Sequence, residues 1–245
     1  MFCFASYVQA ETTDTISIKN NNLRMANLKE GSSKYLSWTK NSKSGRVSWI
    51  SMSERVIYFK KINGRDVIIV VQHKFINDTS RNNFVYTVSD RNNFETLYDY
   101  TSNSKVIEAY DYHGYEVRGA DTVKQNSRHN FSLKFTDLPY CFELDVETLR
   151  ALPLKNVGQK MTMAFYQPGR STSPKLYPVE VIGEEQLPTV RNEKVDCWVV
   201  KLTSDSENYD LSWISKSTHE YLKLESHDPE GIFYKVKLFN TDLPF

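Results

Sequence analysis

Residues 56–72 read VIYFKKINGRDVIIVVQ, and this stretch predicts a β-hairpin. Asn63-Gly64 is a dipeptide preferred in two-residue type I′ turns, because both central residues of such a turn have positive φ. The returning strand is apolar at every position from Val67 to Val71. We therefore expect both of its faces to be covered, which predicts a place in the interior of a β-sheet.

The rest of the chain continues this pattern of short β-branched and aromatic runs separated by Asn, Asp, Gly, Ser and Pro. In the last run, Tyr234 and Val236 alternate with Lys235 and Lys237, which predicts one covered and one wet face. The runs after residue 159 predict an antiparallel meander. Beyond the hairpin, strands are predicted at residues 84–88, 94–100, 106–110, 115–118, 131–135, 160–166, 177–182, 195–202, 209–214, 220–224 and 232–239.

One short helix is predicted at about residues 145–152. Val146, Leu149 and Leu152 fall on one face of a helix, and Pro153 ends it. A helix of this length is not stable alone, so it must pack against the sheet. The pattern as a whole predicts an all-β-dominated domain with a single short helix.

The sequence predicts three consecutive segments in the chain. Residues 1–10 read MFCFASYVQA, which predicts the tail of a truncated secretory signal cleaved after Ala10. An ordinary frayed terminus is the alternative. Residues 11–45 are predicted to form an N-terminal arm, and residues 46–245 a single domain.

Cys141 and Cys197 are expected to be buried thiols, with one disulfide as the alternative.

Charge and hydropathy exclude two classes of partner. The chain has 31 basic and 30 acidic side chains and a formal net charge of +1. This balance gives no electrostatic footprint for nucleic acid or for an anionic membrane surface. The mature chain also contains no apolar run long enough to span a membrane.

Motifs for catalysis or cofactor binding are not found in the sequence. The histidines are scattered, without an H-E-x-x-H pattern, and there is no Cys-x-x-Cys pair, so no metal site is expected. Nucleophile motifs and glycine-rich phosphate loops are missing as well, and no catalytic residue or cofactor is assigned. Glu184-Glu185 and Glu143 with Asp145 place acids close in sequence, which keeps an unrecognised hydrolase as an alternative.

The aromatic and methionine side chains suggest a binding surface instead. An antiparallel sheet curved around one short helix has more concave apolar surface than the helix can cover, and such surfaces hold apolar ligands. Methionine beside phenylalanine suits an adaptable apolar groove. The residues predicted to line this groove are Trp49, Met161, Met163, Phe165, Trp213 and Tyr234.

Several segments together resemble a known family. They are the hairpin at 58–72, the helix at 145–154, the strand end FYQPG at 165–169, and the runs VDCWVV at 195–200 and WISKSTHEYLK at 213–223. They resemble the DUF3108-like family of bacterial exported proteins, which is similar in turn to the lipoprotein carriers of the LolA and LolB type. The resemblance implies a strongly bent, open antiparallel half-barrel in the bacterial periplasm or cell envelope. In the carriers the open barrel holds acyl chains, but this chain has no recognisable lid helices.

These observations lead to one functional hypothesis and two alternatives. The hypothesis is a non-enzymatic cell-envelope protein that binds an apolar or amphipathic, lipid-like ligand in a concave groove of the sheet. The first alternative is a structural or interaction module of the envelope that binds protein or glycan, which a filled core without a groove would favour. The second alternative is the unrecognised hydrolase.

Overall fold

The computed structural model describes residues 13–76, 82–188 and 193–238, and β-strands dominate these residues. The predicted signal segment at residues 1–10 lies outside them. The strands are β1 (Asp14–Ile16), β2 (Gly31–Asn41), β3 (Val47–Ile62), β4 (Arg65–Ile76), β5 (Asn83–Asp90), β6 (Thr96–Asn103), β7 (Ile107–Tyr112), β8 (Glu116–Gly119), β9 (Ser132–Lys134), β10 (Tyr140–Cys141), β11 (Lys160–Tyr166), β12 (Lys175–Pro188), β13 (Lys194–Thr203), β14 (Tyr209–Ser215), β15 (Tyr221–Asp228) and β16 (Gly231–Leu238).

The described strands form one 16-stranded sheet. Its order is β1-β11-β12-β13-β14-β15-β16-β2-β3-β4-β5-β6-β7-β8-β9, and β10 pairs with β11 beside β1. β1 and β10 run parallel to β11, and the other neighbours are antiparallel. The predicted C-terminal meander is confirmed as β11 to β16.

The hairpin that dominates the sequence forms as predicted. β3 ends at Ile62 and β4 begins at Arg65, with Asn63 at φ 51° and Gly64 at φ 82° between them. These positive φ values are those of a type I′ turn. The four residues from Val67 to Val70 are each at most 3% exposed, so both faces of β4 are covered.

The segment 11–45, predicted as an N-terminal arm, contributes two strands to this sheet. β1 pairs with β11, and β2 lies between β16 and β3. β2 therefore joins the C-terminal meander to the N-terminal part of the sheet, and its Tyr35 is buried in the core. The boundary drawn at residue 45 falls in the turn between two paired strands, so the arm does not stand apart from the domain.

The helix α1 (Asp145–Arg150) confirms the predicted helix and positions the core. Val146 and Leu149 of α1 share one buried cluster with side chains from β2, β3 and β4 and from β11 to β15. Strands far apart in the sheet reach the same helix only because the sheet bends around it. We call the face that packs against α1 the inner face and the opposite one the outer face.

The bent sheet stays open at its two edges. Among the described residues, no strand ladder joins β9 at one edge to β1 or β10 at the other. Side chains nevertheless meet across the gap: the ring of Phe135, which follows β9, lies 4.9 Å from the ring of Tyr166 on β11. The expected fold class, an all-β open half-barrel with one short helix, is therefore confirmed.

Candidate functional site

Three of the predicted groove residues lie on the inner face of β11. Met161 is 1% exposed, Met163 is not exposed at all and Phe165 is 2% exposed. All three belong to the core cluster around α1. The helix and its flanking residues cover this part of the inner face, so Met161 and Met163 line no open groove there.

The other three predicted residues lie elsewhere. Trp213 is buried on the outer face against Cys197 and Leu222, and its indole Nε1 donates to Glu185 Oε2 at 2.6 Å. Tyr234 is half-buried, and its ring stacks on Trp38 at 5.2 Å. Trp49 is 58% exposed near the start of β3. The structure therefore does not bring the six predicted residues into one groove.

The two faces of β16 differ from those predicted by its alternation of residues. Lys237 pairs across the strands with Tyr35, a core residue, so Lys237 lies on the inner face. There its ammonium forms an ion pair with Glu220, and only 11% of its side chain is exposed. Tyr234, three positions away, lies on the outer face. The face of β16 that carries the lysines is thus the inner one. The ion pair with Glu220 compensates the charge of Lys237 there, whereas apolar side chains were expected on the covered face.

A cavity of about 360 Å³ lies where β11 ends and β12 begins. Three aromatic rings contact one another beside it. The centre of the Phe142 ring lies 4.9 Å from that of Phe165 and 5.3 Å from that of Tyr177, and the ring centres of Phe165 and Tyr177 are 5.9 Å apart. Burial raises the pKa of the Tyr177 phenol. We call this cavity the aromatic pocket. Its lining residues are Phe142, Phe165, Tyr166, Gln167, Arg170, Thr172, Ser173, Lys175 and Tyr177.

The rim of the aromatic pocket is polar and cationic. Arg170 is exposed on the loop between β11 and β12. The loop is held in place because its Arg170 carbonyl accepts a hydrogen bond from the Tyr166 hydroxyl at 2.8 Å. The Lys175 ammonium lies 5.4 Å from the centre of the Tyr177 ring, and it already donates to the Ser204 carbonyl at 2.5 Å. Arg170 is therefore the cation best placed to pair with a ligand.

Gly169 allows this loop to approach the sheet. Its φ of +79° lies in the left-handed region, and a Cβ at this position would come within 2.2 Å of the Tyr110 hydroxyl. Any other residue would push the loop away from β7. The sequence predicts the Gln167-Pro168-Gly169 turn as the end of a strand, and the structure shows that its glycine also fixes the position of the pocket rim.

A second cavity, of about 290 Å³, lies at the opposite end of the strands, beside the buried ion pair of Arg55 and Glu147. The Arg55 guanidinium there already donates to Glu147, to Gln72 and to the Glu143 carbonyl. A ligand would have to compete with these internal partners. The aromatic pocket is therefore the better candidate site.

Buried acids lie behind the aromatic pocket. Gln167 of the pocket donates to Glu143 Oε1 at 2.8 Å, and burial raises the pKa of the Glu143 carboxyl. Asp99 on β6 is fully buried and accepts a hydrogen bond from the Thr87 hydroxyl at 2.7 Å. Its Oδ1 has no partner among the described groups. Burial first, and the negative charge of Glu143 second, raise the pKa of Asp99 well above its ordinary value.

Asp99→Asn is expected to stabilise the protein at neutral pH. The pKa of Asp99 is higher in the folded than in the unfolded protein, so folding takes up a proton. The protonated carboxyl therefore contributes stability that is fully present below the unfolded pKa of roughly 3.9. This contribution is lost as the pH rises through the folded pKa. Asparagine keeps an acceptor for Thr87 but carries no charge. Urea unfolding between acidic and neutral pH should show a gap between variant and wild type that widens with pH.

The control for this experiment is Asp121→Asn, which changes an exposed carboxylate. We expect its free energy of unfolding to follow the wild type at every pH. A gap for Asp99→Asn that is constant or narrows with pH would contradict a raised pKa at Asp99.

The thiols and the metal-binding side chains show no reactive arrangement in the described ranges. Cys141 and Cys197 are both free and buried, as expected from the sequence. Burial raises the pKa of Cys197 to about 11, which keeps it protonated at neutral pH.

In residues 13–76, 82–188 and 193–238 there is no group of three His, Cys, Asp or Glu side chains placed to hold a metal ion. No described helix is long and apolar enough to cross a membrane.

Comparisons with known proteins identify the family to which the chain belongs. A family model described as "Protein of unknown function (DUF3108)" matches residues 37–238. A β-barrel-like protein of the DUF1849 family from Brucella abortus is similar with a TM-score of 0.48 and 8% identity, over 84% of this chain and 95% of that chain. A DUF1329 family protein from Desulfovibrio piger has a TM-score of 0.34 and 9% identity, over 91% and 90% of the two chains. No protein of curated function matches significantly.

Proposed function

The chain belongs to the DUF3108 family, and we propose that it is a non-enzymatic cell-envelope protein that binds an amphipathic, lipid-like ligand in the aromatic pocket. The observation that carries this proposal is the meeting of three aromatic rings with an exposed guanidinium at a cavity of about 360 Å³. Rings offer apolar contact area, and the guanidinium offers a paired hydrogen-bond donor for a carboxylate or phosphate.

The dimensions of the pocket limit the ligand. Pockets for small molecules range from about 300 to 1,000 Å³, so this one suits a single short chain or one ring system. Each buried methylene adds roughly 0.8 kcal/mol, and no bond has to be made or broken for binding. The mechanism is therefore passive sequestration, with the apolar part against Phe142 and Tyr177 and the anionic group at Arg170.

The location in the envelope is supported by the resemblance to bacterial exported proteins. Sequestration is useful where an amphiphile must leave a membrane and remain shielded from water. The pocket shields only the part of the ligand that lies against the rings, which fits an amphiphile better than a fully apolar compound.

Arg170→Glu is expected to weaken binding of an anionic single-chain amphiphile by at least about tenfold. The substitution removes a charge-assisted hydrogen bond, typically about 1.5–3 kcal/mol, and adds a like charge. Calorimetric titration of the purified full chain with dodecanoate measures this effect. Dodecyl maltoside, which carries no charge, should bind wild type and variant alike, within about twofold.

Lys155→Glu is the matched control, because Lys155 is also an exposed cation but lies beyond the opposite end of β11. It should leave the affinity for dodecanoate unchanged. Native mass spectrometry of protein from a periplasmic host provides an independent readout of co-purified lipid. The proposal is wrong if neither amphiphile binds, or if Arg170→Glu and Lys155→Glu behave alike.

The alternative of an envelope interaction module also has a specific observation in its favour. The inner face is filled by α1 and the core cluster, as expected of a module without a ligand groove. If the wild-type chain binds no amphiphile and carries no lipid, this alternative becomes the better one. Catalysis would be tested separately with a broad set of ester and glycoside substrates.

A further inference from the structure

The hairpin of β2 and β3 has an unusual charge distribution. Residues 31–53 contain Lys34, Lys40, Lys43 and Arg46 and no Asp or Glu. The balanced net charge of the whole chain, which gives no footprint for an anionic membrane, therefore conceals a local excess of positive charge on this hairpin. Lys40, Lys43 and Arg46 lie at or near the turn, and all three are exposed. We propose that this hairpin docks the protein onto an anionic lipid bilayer surface. The proposal does not depend on the ligand of the aromatic pocket.

Large apolar side chains are exposed on the same hairpin. Val47 is 48% exposed, Trp49 58% and Ile50 50%. Trp49 lies at an irregularity in the pairing of β2 with β3 and has a φ of 56°. Positive φ is uncommon for a bulky residue, so the fold holds the tryptophan there at some cost. Tryptophan at the level of the headgroups is characteristic of surfaces that contact membranes.

The exposed apolar surface continues across the outer face of the sheet. Leu36 on β2 lies directly opposite Met52 on β3, and Met52 lies opposite Phe75 on β4. These side chains are 37%, 42% and 43% exposed. An apolar row of this kind beside the hairpin tip marks an interaction surface.

The electrostatics favour an anionic partner, although two acids lie nearby. The turn between β15 and β16 carries the exposed residues Asp228 and Glu230. It contacts the hairpin, because the Glu230 carbonyl accepts hydrogen bonds from Asn41 Nδ2 at 3.0 Å and from the Ser42 amide at 2.9 Å. The three basic residues near the tip outnumber these two acids. Basic residues near an anionic bilayer each strengthen binding about fivefold.

A second copy of the chain fits this surface less well than a bilayer. In a symmetric dimer the same patch faces itself, so the basic residues of both hairpin tips would be brought into one interface. Lysine and arginine beside apolar groups suit a bilayer instead, because their stems lie along the apolar region while their charges reach the headgroups.

The strand directions place the hairpin tip and the aromatic pocket at the same end of the sheet. β11 ends at the pocket, and alternating antiparallel strands from β12 to β16 lead to the end of β2 at Asn41. A bilayer touching the hairpin would therefore lie on the side where the pocket loop is found.

Sedimentation with vesicles tests the proposal. The full chain should bind vesicles of phosphatidylethanolamine with phosphatidylglycerol and bind vesicles of phosphatidylcholine alone at least tenfold more weakly. Trp49→Ser should reduce binding to the anionic vesicles by roughly tenfold, because it removes apolar area from the contact. The pair Lys43→Glu with Arg46→Glu should reduce it by at least about 25-fold, since two fivefold contributions are lost. Glu230→Gln should act in the opposite direction and increase binding up to about fivefold.

Ile62→Ser is the matched control, because Ile62 is 40% exposed at the other end of β3. It should bind the anionic vesicles like the wild type, and circular dichroism should show the same fold for all variants. Equal binding to both kinds of vesicle, or anionic binding that Trp49→Ser leaves intact, overturns the proposal. A dimer in sedimentation equilibrium that Trp49→Ser abolishes would assign the hairpin to self-association and would also overturn it. Dodecanoate binding is measured with dissolved dodecanoate and without vesicles. Ligand binding in the aromatic pocket and docking on a bilayer can therefore fail independently of each other.

Discussion

Glu147→Ala is expected to lower the free energy of unfolding by about 3–5 kcal/mol, because it leaves a buried guanidinium without its carboxylate. Arg55 is 4% exposed and Glu147 1%. Their closest atoms, Arg55 Nη2 and Glu147 Oε2, are 2.6 Å apart. Burial opposes the charge on Arg55, but the neighbouring carboxylate outweighs this and raises the pKa of the guanidinium. The Glu147→Ala variant lacks this carboxylate, but a guanidinium stays protonated at neutral pH even when it is buried, so Arg55 cannot escape the loss by deprotonation.

The size of this effect follows from the position of Arg55 between sheet and helix. Its guanidinium donates to Glu147 on α1, to Gln72 on β4 at 2.8 Å and to the Glu143 backbone carbonyl. These contacts fix α1 to the inner face, so the ion pair and the apolar packing of Val146 and Leu149 depend on each other. Removing one partner should disturb both.

Urea unfolding at neutral pH measures this prediction, with Lys61→Ala as the control. Lys61 and Asp66 form an exposed pair at 3.6 Å, with 64% and 54% of their side chains exposed. Such pairs contribute at most about 1 kcal/mol, so the control should be nearly neutral. The double variant Arg55→Met with Glu147→Leu should recover most of the stability lost in Glu147→Ala, since neither charge remains. A loss below about 1 kcal/mol in Glu147→Ala would mean that Arg55 reaches water in the folded protein.

The parts of the fold that could be predicted are those fixed by local sequence. The turn at Asn63-Gly64 needs two positive φ values, which these residues adopt readily, and the apolar run that follows has few alternatives to a buried strand. The stretch GSSKYLSWTKN of β2 is different. It is polar on average, and its partners β16 and β3 include a strand almost 200 positions away. Nothing local in this stretch indicates a strand in the middle of a sheet.

The candidate site was harder to predict than the fold. The pocket brings Phe142, Arg170 and Tyr177 together, and the pairing of Phe165 with Lys175 aligns β11 with β12. Each of these residues is ordinary in its own segment, so only the pairing of strands reveals the pocket. Phe165 is the one predicted groove residue that lines it. Alternation showed that Met161, Met163 and Phe165 share a face, but it did not show that α1 covers that face.

Met163→Ala is expected to lower the free energy of unfolding by about 2–5 kcal/mol, as for other methionines deleted from a packed core. Met163 is fully buried on β11 in the cluster around α1. The loss combines the transfer of the side chain from its apolar surroundings with the cavity that it leaves. Urea unfolding measures the change, and Met52→Ala is a control with the same atoms removed. Met52 is 42% exposed, so its replacement should change stability by no more than about 0.5 kcal/mol.

The same pair of variants separates a core residue from a groove residue. If Met163 lined an open groove, its truncation would cost little stability and would change the affinity for dodecanoate. If it is core, truncation costs stability, while the affinity measured on the folded fraction stays close to wild type. A small loss for Met163→Ala, similar to that for Met52→Ala, would mean that the inner face is accessible and that the groove predicted from the sequence exists. A large loss of stability for Met163→Ala, with unchanged affinity for dodecanoate, would mean that Met163 is a core residue and that the ligand binds in the aromatic pocket. Phe165, on the same face of β11 as Met163, lines that pocket.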